Sequence, residues 1–109
     1  MFRCRKTETL FCIGVCEIIS AGSCGMLESF EEGTFLVPVK ALCDEGTSYH
    51  YAPPSRFMET NEKARKAIEK TIVQHNMTYQ EVITWSTDGF FRETKDKVEY
   101  CKKEGCDVV

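Results

Sequence analysis

Gly22, Ser23, Cys24 and Gly25 are the first residues in this chain whose types and spacing could do chemistry. They close a short apolar run, Ile18 to Ala21, as a buried strand closes in a tight turn. Such a turn presents backbone N–H groups and a hydroxyl together, which suits an anion such as phosphate. Its glycines let a ligand approach the main chain closely. The same pattern also describes an ordinary strand-to-loop turn. Cys24 adds a thiol, but no sequence feature supplies a base to activate it. A second group, residues 44–56, gathers acid, hydroxyl, aromatic and imidazole side chains in a stretch without periodicity that Pro53 and Pro54 stiffen. Loops of that length in a small domain tend to be functional. His50, alone between Tyr49 and Tyr51, reads as a packed, hydrogen-bonded residue rather than a catalytic base. The third group, Ser86-Thr87-Asp88-Gly89-Phe90-Phe91, again looks like a strand opening into a small-residue turn.

The elements that position these groups must fit in 109 residues, of which 42% are hydrophobic and 28% charged. That suffices for one small domain with a modest core. A net charge of −3 argues against a nucleic-acid or anionic-membrane surface. No apolar run approaches bilayer-spanning length. The basic start, Met1 to Lys6, precedes an apolar stretch, but Glu8 and Glu17 interrupt it and no cleavage site is evident, so a cytoplasmic protein is expected. The seven cysteines include no C-x-x-C pair. They are expected to be mostly small buried hydrophobes in a reducing compartment, with no metal site and no cofactor.

Helix formers followed by Leu10, Phe11, Ile13 and Val15 predict a helix over 6–15 that stops near Gly14. Strands are expected over 17–21 and 34–43. Pro38 removes a ladder donor from the second, so that strand should lie at an edge or carry a bulge. Residues 60–75 form the clearest helical pattern, with Ala64, Ala67, Ile68, Ile72 and Val73 on one face and Glu62 paired with Lys66 on another. A third strand over 79–86 leads to the Ser86 turn. Thr94 is the expected N-cap of a helix through Glu104, which Gly105 ends. Cys106 to Val109 begins a fourth strand. Helices alternating with strands predict an α/β layered fold, a mixed sheet flanked by helices. Ligands in open sheets of that class bind outside the carboxyl ends of strands, so the Gly22 and Ser86 turns are expected to share one crevice.

With all three groups in view, the sequence resembles the nucleoside phosphorylase superfamily of the purine nucleoside and uridine phosphorylase type, from about Ile13 onward. Gly22-Ser23-Cys24-Gly25 is similar to that family's phosphate and ribose turn. Residues 44–53, Asp-Glu-Gly-Thr-Ser-Tyr-His-Tyr-Ala-Pro, resemble the loop after the next strand. Ser86-Thr87-Asp88-Gly89-Phe90 resembles the Ser-x-Asp-x-Phe turn whose phenylalanine stacks on the base. The resemblance implies a pentosyltransferase, a glycosyltransferase that cleaves the N-glycosidic bond of a purine or pyrimidine nucleoside with phosphate as co-substrate. Its partners are then nucleoside and phosphate, and a complete family member would be a homo-oligomer.

The resemblance also implies roles for single residues. Gly22 and Ser23 would bind phosphate and ribose, and Phe90 the base. Asp88 would anchor the turn by hydrogen bonding to backbone rather than act as an acid, and Phe91 would pack against the core. Thr47, His50 and Tyr51 would line the pocket or a subunit contact.

Departures from the pattern carry their own expectations. Ser20 stands where many members have an arginine on phosphate. The Glu-Met-Glu segment that binds ribose would follow Val109, and another phosphate loop would precede these residues. The chain is therefore expected to be a single, truncated domain, inactive alone and prone to self-association through exposed strand edges. No catalytic residue is assigned within it. A nucleosidase using water, or a non-catalytic nucleoside-binding remnant, are the alternatives.

Overall fold

The computed structural model describes residues 2–109, with side chains from Thr7 onward. Helix α1, Phe2–Cys12, is followed by Gly14 at φ 95°, where only glycine avoids a Cβ penalty. The N–H groups of Ile13, Gly14 and Val15 turn back onto the carbonyls of Leu10 and Phe11 and close the helix end.

The expected strand over 17–21 does not form. Residues 17–25 are exposed and irregular. A strand exists only where a neighbour completes its ladder, and four apolar residues cannot supply that neighbour. Regular pairing resumes at Gly25, whose N–H donates to Val109 O at 2.7 Å and whose carbonyl accepts from Val109 N at 2.9 Å. The approach is close: a Cβ on Gly25 would fall 2.9 Å from Val109 Cγ1.

Three strands make the sheet: β1 (Phe35–Asp44), β2 (Phe57–Glu59) and β3 (Tyr79–Thr87), in the order β2-β1-β3. β1 runs antiparallel to β2 and parallel to β3. It is central, and the missing Pro38 N–H is absorbed as a register shift between Pro38 and Lys40. The Thr60 N–H and hydroxyl reach back to the same place, to Val39 O at 3.0 Å and Pro38 O at 2.8 Å. β2 has no signature in the sequence, because three residues are too short to reveal a period.

Helix α2, Glu62–Gln74, connects β2 to β3. Asn61 caps it by accepting the Ala64 N–H at 2.9 Å. Of its expected apolar face, Ile72 is buried and Ile68 half-buried, while Ala64, Ala67 and Val73 are exposed. Helix α3, Lys95–Lys103, starts after extended Thr94, which makes no side-chain cap bond, and stops before Gly105 at φ 91°. The tail after α3 forms isolated bridges rather than a strand: Val108 pairs in parallel with Thr84 and antiparallel with Met26. Its Asp107 carboxylate accepts the Ile83 N–H at 2.8 Å.

The fold is α/β, a mixed sheet flanked by helices. Leu42, Trp85, Cys101 and Cys106 form its core cluster, with Phe57, Ile83 and Val98 packed around it. The cysteines divide differently from expectation. Cys43, Cys101 and Cys106 are buried, but Cys12, Cys16 and Cys24 are exposed, the last two because the segment carrying them joins no sheet. Cys4 lies outside the described side chains. Burial pushes the Cys101 thiol up, and the Cys106 thiol up to about 11.

Candidate functional site

Parallel pairing places Asp44, the last residue of β1, directly beside Thr87, the last of β3. The loop after β1 and the turn after β3 therefore leave the sheet at one edge, the carboxyl end where an α/β sheet offers its crevice. A single turn of 3-10 helix, Ser48–His50, shapes the loop, and the Glu45 carboxylate accepts the Ser48 N–H at 2.9 Å. Asp88 reaches across to accept the Gly46 N–H at 3.4 Å. It thus anchors backbone, as expected, but that of the neighbouring loop. Its own turn is held by Thr87 Oγ1, which accepts the Gly89 N–H at 3.2 Å, and by Arg92 N–H donating to Gly89 O at 2.8 Å. A Cβ at Gly89 would lie 3.2 Å from Arg92 Cβ, so a larger residue there would have to push the Arg92 side chain aside by a few tenths of an ångström.

Phe90 stands at this turn 80% exposed. Phe91 does not pack against the core as expected: it is 99% exposed, because the turn carries both rings past the end of the sheet. Thr47 is half-buried at the start of the 3-10 turn, and its carbonyl accepts the His50 N–H at 3.1 Å. His50 and Tyr51 are exposed. The Tyr51 hydroxyl donates to Glu8 of α1, tying loop to helix. Gly22 and Ser23 are exposed in the irregular segment. The described contacts join the Ser86 turn to the 44–56 loop, and the end of the Gly22 turn to Val109. Among the described residues, no group of three or more His, Cys, Asp or Glu could hold a metal ion.

Two charged clusters behind the loop have no counterpart in the sequence reading. Asp44 Oδ2 accepts the Trp85 indole N–H at 3.0 Å and pairs with Lys97 Nζ at 2.6 Å. Burial pushes the Asp44 carboxyl up, but the hydrogen bonds from Lys97 and Trp85, with the charges of Lys97 and Arg56, hold it below its ordinary value. Arg56 grips Glu104 with two nitrogens, Nε at 3.1 Å from Oε1 and the terminal amino group on Oε2, and lies 5.7 Å from the Tyr100 ring centroid. That contact holds the Glu104 carboxyl down. Pairs separated by 48 positions leave no local signal to read.

A family model described as the phosphorylase superfamily matches residues 4–109. This chain belongs to the phosphorylase superfamily. No curated protein sequence matches it significantly. Solved structures similar to this superfamily member include a futalosine hydrolase of Helicobacter pylori, with TM-score 0.77 and 20% identity over 97% of this chain and 51% of that one. An MTAN from the same organism gives the same four values. A Helicobacter pylori 5'-methylthioadenosine/S-adenosyl homocysteine nucleosidase bound to a pyrrolidine ligand gives TM-score 0.75 and 21% identity over 97% of this chain and 49% of that chain. At these identities the likeness is one of fold. The superfamily chain spans about half the length of the structures it matches. None of its described helices is long and apolar enough to cross a membrane.

Proposed function

We propose that the protein acts on a nucleoside, purine or pyrimidine, at its N-glycosidic bond, and that the β3 turn supplies the base-binding end of the site. One observation carries this: Phe90 is held in solvent at the carboxyl end of the sheet by a turn whose backbone is tied down on both sides. An exposed aromatic face on a fixed turn is a stacking surface for a planar base. Gly22 and Ser23 are the proposed phosphate and ribose contacts. Thr47, His50 and Tyr51 are proposed as pocket or subunit-contact residues beside the turn.

Cleavage passes through oxocarbenium-like charge on the ribose, so the site must hold a nucleophile beneath the sugar and stabilise charge on the departing base. Water is the nucleophile the observations favour. Ser20 stands where the family resemblance would place an arginine on phosphate, and the similar structures carry the names hydrolase and nucleosidase. Phosphorolysis is the second reading, supported by the Gly22-Ser23 turn and by the family's description.

Thermal unfolding of the purified chain with a panel of purine and pyrimidine nucleosides, with and without phosphate, tests the reading. At least one nucleoside is expected to raise Tm, with no further rise when phosphate is added. A rise that needs phosphate favours phosphorolysis. No shift with any nucleoside overturns the proposal, and release of free base without phosphate favours the hydrolytic reading.

A further inference from the structure

Phe90 sits in a connection whose two ends meet on one side chain. Trp85 lies in β3 before the turn, and Lys97 lies in the first turn of α3 after it. Asp44 Oδ2 contacts both, at 3.0 Å and 2.6 Å, and the Lys97 ammonium lies 5.7 Å from the Trp85 ring centroid. Trp85 is 1% exposed, so its indole N–H has no water to turn to and needs this acceptor. Asp44 is itself paired with Thr87 through the sheet, which sets its side chain at the root of the turn.

We infer that Asp44 is a positioning residue for the base-binding turn: its carboxylate closes the neck of residues 85–97 and so holds Phe90 in place before a ligand arrives. A loop whose ends are already joined loses less freedom when it binds, so the clamp raises affinity without touching the ligand. An ordinary half-exposed ion pair would contribute little by itself. Here the pair is reinforced by a buried indole donor and spans the segment that carries Phe90 and Phe91, the two most exposed of the large hydrophobic side chains described. The ligand assigned to that turn rests on the nucleoside reading above; the clamp does not.

The test uses Asp44→Asn, which keeps an acceptor for Trp85 but loses the charge, and Lys97→Met, which removes the other partner at a half-exposed position. Backbone amide exchange across residues 86–92 is compared with that across α2. About tenfold faster exchange is expected in the turn of both variants, with α2 unchanged and Lys97→Arg restoring the native rate. Emission from Trp85, the only tryptophan, should shift in Asp44→Asn. Nucleoside Kd should rise about tenfold in Asp44→Asn, and this loss should vanish in a Phe90→Ala background. Unchanged turn exchange in either folded variant, or an increase shared equally by α2, overturns the inference. Faster turn exchange with identical nucleoside binding by Phe90→Ala and the unmodified chain leaves the clamp standing and overturns the nucleoside reading. If Asp44→Asn does not fold, Lys97→Met and Lys97→Arg decide the matter.

Discussion

Phe90 and Cys106 lie toward opposite ends of side-chain burial in this molecule, one mostly in solvent and one sealed in the core. Because Phe90 touches little, replacing it with alanine should leave Tm nearly unchanged. The same change should weaken nucleoside binding by about 1–3 kcal/mol, the usual worth of stacking one base on an aromatic ring. A nucleoside titration beside a melting curve separates the two effects. A large fall in Tm with unaltered binding would make Phe90 structural. Cys106 behaves in the opposite sense. Its folded thiol titrates near 11 against an ordinary 9.0, so the unfolded state loses its proton first as pH rises. The stability it contributes is complete below pH 9.0 and declines toward 11. Alkylation at neutral pH should label Cys12, Cys16 and Cys24 rapidly, and Cys43, Cys101 and Cys106 only after unfolding, as mass spectrometry of the modified chain would record.

At the scale of elements, β1, α2, β3 and α3 were legible because each carries its own local signal. Pro38 announced the bulge, and Thr94 and Gly105 bracketed α3. Residues 17–21 had an equally good apolar run and made no strand, since strand formation is settled by the neighbour and not by the run. The joints between elements are electrostatic and pH-sensitive. Asp44 ties β1 to β3 and α3, and Arg56–Glu104 ties the loop before β2 to the end of α3. Both carboxyls are held below their ordinary values of 3.8 and 4.5. A depressed folded value means that the stabilisation is present above the ordinary value and is lost as pH falls through the folded one. Melting temperature measured from about pH 6 to about pH 3 should therefore fall at the acid end, and less steeply in Asp44→Asn than in the unmodified chain. Equal slopes would mean that Asp44 is not one of the groups responsible.

The whole molecule exposes more than its mass warrants. Its accessible surface is 8532 Å², against roughly 6200 Å² for a monomeric globule of the same mass. Its radius of gyration is 14.9 Å, against about 13 Å for a compact chain of this length. Leu10, Phe11, Ile13, Ile18, Ile19 and Val73 contribute apolar area to that excess. Surface of this kind is normally covered, and the isolated chain is expected to self-associate. Sedimentation velocity across a range of concentrations measures this, and a stable monomer throughout would contradict the picture of a domain with uncovered faces. The sequence by itself determined the α/β class, the helices α2 and α3 with the Gly105 stop, the Pro38 irregularity and the motifs that carry the superfamily resemblance, because periodicity and turn chemistry act over a few residues. Only the tertiary structure decided which strand ends adjoin. It set the 44–56 loop against the Phe90 turn, and it left residues 17–25 outside the sheet. It also drew Asp44 to Trp85 and Lys97. Contacts between residues forty or more positions apart depend on how the strands are ordered, and no local pattern encodes that order.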